Sequence, residues 1–324
     1  MTAVNSKLPA SRRAPLLTQH SALFALLGLL LFNVITTPNF LTLNVLNLNM
    51  TQTATILIVA VGMTFVIATG GIDLSVGSIM AISGALAPLL FISSGLPPHL
   101  GVPLGVLLPI LAAGACGAFN GFLVTRFQIQ PIIATLVLFI AGRGIAQVIS
   151  GGQLINFPDD RFRFLGSGAL FGVNIQVFLM LIIVAVALWV IRTTLFGRQV
   201  IAVGGNAEAA RLAGVPVMRT KVAVYTLSGM LAGLAGLISI AVNNSSDANL
   251  VGQNMELDAI AAVAVGGTAL SGGKVSLTGT LIGALFIQLL RYTLLVKGVP
   301  DSAALIVKAA IIVIAVALQH RRRK

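Results

Sequence analysis

The chain has 324 residues, of which 57% are hydrophobic and only 9% charged, whereas a soluble domain carries about 25% charged residues. Such a chain cannot cover its own surface with polar groups. Its apolar excess needs lipid as solvent, which overrides the two soluble domains that length alone would allow. The net charge of +12 would suggest nucleic acid in a soluble protein. Here the cations sit in short hydrophilic connections and at the two ends, with no RNP-like motif and no basic helix with interleaved aromatics, so no nucleic-acid partner is expected.

Lys7, Arg12 and Arg13 precede an apolar run, as in a signal peptide. No small-residue cleavage site follows and further spans come after, so residues 1–19 read as a tail before an uncleaved first span. A transmembrane helix needs about 20 apolar residues. Ten segments are read as spans: 20–36, 50–69, 74–93, 102–125, 130–149, 173–191, 220–242, 258–271, 276–296 and 303–319. The eighth is short and rich in Gly and Ala, and reads as broken, re-entrant or continuous with part of the ninth. The expected fold class is therefore all-α: a polytopic integral membrane helix bundle over 20–319, with a basic tail at 320–324. With the N-terminus inside, 14 of the 20 Lys and Arg fall on the cytoplasmic side, three fall outside, and Arg143, Arg291 and Lys308 lie within spans. That asymmetry puts both termini in the cytoplasm.

Taken in chain order, the first polar candidate is Asp73, in Gly70-Gly71-Ile72-Asp73-Leu74-Ser75-Val76-Gly77. With Ser75 it reads as a cap on the third span, or else as a polar group beside a pathway. A similar Gly-rich turn recurs as Gly272-Gly273-Lys274-Val275-Ser276-Leu277-Thr278-Gly279, and a second register, Gly266 to Gly273, also fits. Two such turns in separate halves suggest a duplicated bundle with Gly-interrupted helices along a transport pathway. Close helix packing by small residues explains them equally well. Asn120 and Gln130, at the inner ends of the fourth and fifth segments, are further pathway candidates. Arg143 and Gln147 share a helix face at i, i+4 and belong near an outer vestibule. Arg143, Arg291 and Lys308 either snorkel to the outer interface or pair inside the bundle.

The inner loop 192–219 contains Asn206, Ala207, Glu208, Ala209, Ala210, Arg211, Leu212, Ala213 and Gly214. Asn206 is a good N-cap, Glu208 suits the first turn and Gly214 is a good stop before Pro216, so the sequence predicts a short surface helix. It is either a connector or a docking element for a cytoplasmic partner. On the outer side, Asn243, Asn244, Asp247 and Asn249 form a polar stretch whose amides suit a neutral polyhydroxylated ligand, and equally a solvated loop. Glu256 and Asp258 follow at the same outer level. At i, i+2 they do not share a helix face, which argues against an acid–base pair.

Other chemistry is missing. Thr268 to Val275 has Gly273-Lys274 but neither the first Gly nor the final Ser or Thr of a phosphate-binding loop, so any driving ATP binds another subunit. Cys116 is the only cysteine, and His20, His99 and His320 are far apart, which excludes an internal disulfide and suggests no metal site. No nucleophile–base arrangement suggests an enzyme. An ion-coupled secondary transporter is the rival reading, and acids confined to span ends and loops argue against it.

The Gly70–Gly77 motif, the segments Glu256 to Val263 and Gly266 to Gly273, and the inner segment Gly204 to Val215 together resemble sugar ABC importer permeases of the ribose type. The resemblance covers about 50–319. Ile129-Gln130-Pro131, Ala134-Thr135-Leu136, Ala141 to Gln147 and Asp247-Ala248-Asn249 are most similar to the galactofuranose importer's permeases. The resemblance implies a fold like that of the vitamin B12 type of importer and a bacterial inner-membrane location. It also implies a core of two permeases, identical or homologous, a cytoplasmic ATPase that holds ATP and Mg, and a periplasmic sugar-binding protein. In that scheme 206–214 is the segment that couples to the ATPase.

Overall fold

The computed structural model describes residues 21–93, 97–157 and 160–321; the tail 1–19, His20 and residues 322–324 of the basic tail lie outside them. Its helices are α1 (Ser21–Thr36), α2 (Leu43–Ala68), α3 (Val76–Pro88), α4 (Pro98–Arg126), α5 (Pro131–Ser150), α6 (Asp160–Ser167), α7 (Ile175–Thr193), α8 (Leu195–Gly205), α9 (Ala207–Leu212), α10 (Val217–Asn243), α11 (Met255–Val265), α12 (Leu277–Val296) and α13 (Asp301–Arg321). A π-helical turn over Leu89–Ser93 and two short antiparallel ribbons complete the described part. One pairs Ile155 with Ser246 and Asn156 with Ser245; the other pairs Ala169 with Asn174 and Leu170 with Val173.

The bundle is built around α2. From Ile56 to Ala68 every residue of this helix is buried, so it has no polar face and must be surrounded. It packs against α7, α10, α11 and α12. Helix α10 crosses α4 through small residues. A Cβ at Gly121 would stand 2.8 Å from the Val222 Cα, and Gly117 and Gly229 face one another's backbones. In lipid, where apolar side chains gain nothing by leaving solvent, such backbone approach is what holds helices together. Polar ties add to it: Asn33 donates to Thr293 Oγ1 at 2.6 Å, and the hydroxyls of Thr64 and Thr280 bond at 2.9 Å. Ile35, Leu43, Ile140, Val148, Ile182 and Ile306 are each more than half exposed, an apolar exterior suited to acyl chains.

The architecture is an all-α membrane bundle, with six described helices long and apolar enough to span and three shorter apolar ones. Two segments depart from the ten-span expectation. Residues 258–271 contain only part of the 11-residue α11, which ends at Val265. At a rise of 1.5 Å per residue α11 covers about 16 Å, roughly half a hydrocarbon core. The chain then turns at Gly267, Gly272 and Gly273, all with positive φ, before α12. The loop 192–219 holds two helices, not one. Thr194 accepts from the Gly197 amide and starts α8, whose Phe196 stacks on Phe65 of α2 at 6.3 Å.

Candidate functional site

Two ends of α2 define two polar regions about 26 Å apart, from the 1.5 Å rise over the residues between Thr51 and Ala68. At the Ala68 end, three glycine-rich segments meet. Gly70-Gly71 leaves α2, Gly204-Gly205 ends α8, and Gly272-Gly273 leads to α12. The Gly273 amide donates to the Ala68 carbonyl at 3.0 Å. The two Gly-rich turns recognised in sequence are thus in direct contact.

Just inside this meeting point lies Asp73, fully buried. Its Oδ1 accepts from the Ser75 amide at 3.0 Å and the Ser75 hydroxyl at 2.6 Å; Oδ2 accepts from Ser228 of α10 at 3.1 Å. Asn120 of α4 donates to Ser75 Oγ at 2.7 Å. Asp73 therefore orders the turn that starts α3 and ties it to α4 and α10. The Tyr225 ring stands over Gly71, where a Cβ would meet its hydroxyl. Gln130 is exposed at the start of α5, apart from this cluster.

At the other end, the loop between α10 and α11 is fastened to α5. Arg143 Nη1 donates to the carbonyls of Ala248 at 2.7 Å and Val251 at 2.6 Å, and Gln147 donates to Asn249 Oδ1 at 2.6 Å. Asp247 Oδ1 accepts from the Asn249 amide at 2.8 Å. Asn244 takes the left-handed conformation that ends α10, with φ 50°. Glu256 is buried, and its carboxylate stands where a Cβ on Gly77 would lie, 2.5 Å from Oε2. Arg143, Gln147, Asp247 and Asn249 thus form one cluster.

Beside this loop a cavity of about 630 Å³ opens between α2, α10, α11, α12 and α13. Of the sequence candidates, Asn243 and Asp258 line it. So do Thr51, Gln52, Gln288, Arg291 and Lys308, which composition alone did not single out as lining residues. Gln288 donates to Gln52 Oε1 at 2.6 Å, joining α12 to α2. Lys308 of α13 and Asp258 of α11 make an ion pair at 2.6 Å, both nearly buried. Lys308 thus pairs inside the bundle; Arg291 is exposed at the cavity wall. Gln288 is detectable in the sequence as a lone amide inside an apolar run, Gln52 stands between two threonines, and their partnership across 236 residues is not detectable.

Helix α9 follows α8 after one residue. Asn206 Oδ1 accepts from the Ala209 amide at 3.0 Å, capping its start. Gly214, at φ +84°, ends it by donating to the Arg211 carbonyl at 3.0 Å. Glu208 and Arg211 pair at 2.6 Å on the exposed side, and the Arg211 guanidinium holds the Glu208 carboxyl below its ordinary value. Ala209, Leu212 and Ala213 are exposed; Ala210 is buried against the protein. Ala210 therefore faces inward, away from the exposed side of the helix.

The family model described as "Branched-chain amino acid transport system / permease component" matches residues 45–316. The chain is 40% identical to the ribose import permease protein of Escherichia coli strain K12 over 315 residues, 95% of each chain. It is 39% identical over 273 residues to the galactofuranose transporter permease protein of the same strain, covering 84% of this chain and 78% of that one. It is also 35% identical over 301 residues to the L-arabinose ABC transporter permease protein of Azospirillum brasilense, covering 93% and 85%. No solved structure matches the chain.

Proposed function

This chain belongs to the branched-chain amino acid transport system / permease component family, and from that premise we propose that it is the permease of a bacterial ABC importer that carries a neutral sugar across the inner membrane. The carrying observation is the cavity beside Asn243 and Asp258. Its amides and hydroxyls, one internally neutralised ion pair and the Arg291 guanidinium at its wall offer the donors and acceptors that suit a polyhydroxylated solute. The substrate class is a pentose or hexose, galactofuranose or ribose among them, since ribose, galactofuranose and arabinose permeases are its relatives. Both termini are cytoplasmic, because the cations crowd onto that side. The cavity then opens to the periplasm and the glycine turns face the cytoplasm.

The working complex has a second permease, identical or homologous, in a fold like that of the vitamin B12 type of importer. A periplasmic sugar-binding protein delivers substrate. A cytoplasmic ATPase, which holds ATP and Mg, docks on 206–214 and drives alternating access. Asp73, Asn120 and Gln130 lie toward the inner side of the pathway. Arg143, Gln147, Asn244, Asp247, Asn249 and Glu256 shape its outer mouth. The family description names amino acids, and that is the second reading. Uptake into vesicles holding the complete complex separates the two. Labelled ribose, galactofuranose and arabinose are tested against leucine, with Gln288→Leu as the cavity variant. Sugar uptake with a raised KM in the variant is expected; leucine uptake without sugar uptake would replace this reading by the second.

A further inference from the structure

Helix α8 touches α2 near both of its ends. Phe196 stacks on Phe65, and Val200 and Val203 are buried. Its last turn inserts Gly204 between two turns far apart in sequence. A Cβ on Gly204 would overlap the Ala68 carbonyl and stand 2.6 Å from the Gly273 amide nitrogen. A Cβ on Gly272 would stand 2.8 Å from the Gly204 carbonyl oxygen and 3.0 Å from the Gly70 nitrogen. Three backbones therefore meet with no side chain between them, and the Gly273–Ala68 hydrogen bond closes the knot. Gly70, Gly272 and Gly273 have φ of +79°, +85° and +76°. Glycine there can change conformation at little steric cost, which is what a hinge needs. Only Gly205 separates Gly204 from Asn206, the cap of α9. A displacement of α9 has almost no slack chain in which to be lost.

We propose that Gly204 is the positioning residue that passes movement of the 206–214 segment to both glycine turns at once. The turn after α2 and the turn before α12 are then displaced together, and ATP-driven movement outside the bundle reaches two helices of the pathway through one backbone contact. The absence of side chains lets the three segments slide by small amounts, where interlocked side chains would hold one register. This rests on the reading of 206–214 as the docking segment.

The test uses the complete complex in vesicles. Gly204→Ala is compared with Gly205→Ala, whose added Cβ meets nothing within 4 Å. Gly204→Ala should lower sugar uptake about tenfold or more while ATP hydrolysis stimulated by the loaded binding protein stays within about twofold, a split that packing damage alone would not produce. Gly205→Ala should transport like the wild type. A further variant, with Gly205→Cys and Lys274→Cys in a Cys116→Ala background, is joined by a short reducible thiol reagent. The link should stop uptake, and reductant should restore it. If Gly204→Ala fails to assemble, the reversible link decides alone. Normal uptake by assembled Gly204→Ala, or by the linked double-cysteine variant, would overturn the proposal. Leu212→Glu separates the underlying reading: full ATPase association and uptake in that variant would remove the docking segment itself.

Discussion

The two ends of the bundle satisfy a buried polar backbone in opposite ways. At the glycine end, main chain meets main chain: Ala68, Gly204 and Gly273 approach so closely that a single methyl group would overlap an oxygen. At the cavity end, side chains make the joins: Lys308 pairs with Asp258, Gln288 with Gln52, and Arg143 holds two carbonyls. The first arrangement is intolerant of added volume. The second accepts changes of shape and penalises any partner left alone. Substitutions at the two ends should therefore fail for different reasons, and the size of each failure can be ranked.

The largest effect is expected at the Lys308–Asp258 pair. Lys308→Met leaves the Asp258 carboxylate buried without its cation, and breaking a buried pair from one side costs about 3–5 kcal/mol. Removing both charges together, as Asp258→Asn with Lys308→Met, should recover most of that loss, because neither charge is then stranded. Thermal unfolding of the purified permease in lipid nanodiscs measures both. Equal destabilisation in the single and double variants would show that packing around α13, not charge, sets the cost.

Next comes Asp73, which lies just inside the glycine end but is held by side chains as well as by main chain. Asp73→Leu deprives the Ser75 amide, the Ser75 hydroxyl and the Ser228 hydroxyl of their acceptor. The two hydroxyls can rotate toward other acceptors, whereas the Ser75 amide cannot, and one buried group so abandoned costs about 1–3 kcal/mol. Asp73→Asn keeps an oxygen for Ser75 and offers an amide to Ser228, whose hydroxyl can accept, so it should fold and transport close to normally. Loss of uptake by an assembled Asp73→Asn would mean that the charge itself takes part in transport.

How much of this is legible in the sequence follows from the range over which each feature is determined. The α9 helix is, because Asn206 and Gly214 carry their own conformational preferences and need no distant partner. So is the face shared by Arg143 and Gln147, which is fixed by helical period. Helix α8 is not, although Thr194 is a fair cap, since its apolar residues blend into the preceding span and only the extended backbone at Thr194 separates the two helices. Hydropathy counts the eighth segment among the spans, and its short length and its Gly and Ala content are the local signs that it is broken, as it is after Val265 at Gly266 and Gly267. The glycine turns are visible as a repeat, yet that they touch each other and Gly204 is a tertiary fact. Likewise Gln52 and Gln288, 236 positions apart, have no local pattern that joins them.

A smaller effect sharpens the comparison within the glycine end. Gly70 has φ +79° and open space where a Cβ would go, so Gly70→Ala adds strain without overlap. The left-handed conformation costs an L-residue about 1–2 kcal/mol. Gly71→Ala has no such strain but drives a methyl into the Tyr225 hydroxyl. If crowding rules this end, Gly71→Ala should lower the melting temperature more than Gly70→Ala. The reverse order would make backbone conformation the controlling factor.

The smallest effect is expected outside both ends, at Glu208 and Arg211. Their ion pair is solvent-exposed, with side chains 62% and 67% accessible, so water and salt screen it. Arg211 lowers the Glu208 carboxyl below its ordinary value. The pair's contribution is therefore fully present above the ordinary carboxylate range and is lost only as pH falls through the lowered value. Between about pH 6 and pH 8 it should be constant. Glu208→Gln should then change association of the ATPase by less than about twofold at physiological salt, as exposed pairs usually do. Glu208→Lys places two cations at i, i+3 and should weaken association more, with a clear dependence on salt. Titration of the purified ATPase against permease vesicles at two salt concentrations measures this directly. A large, salt-sensitive loss in Glu208→Gln would move the carboxylate from a local helix pair to the docking contact itself.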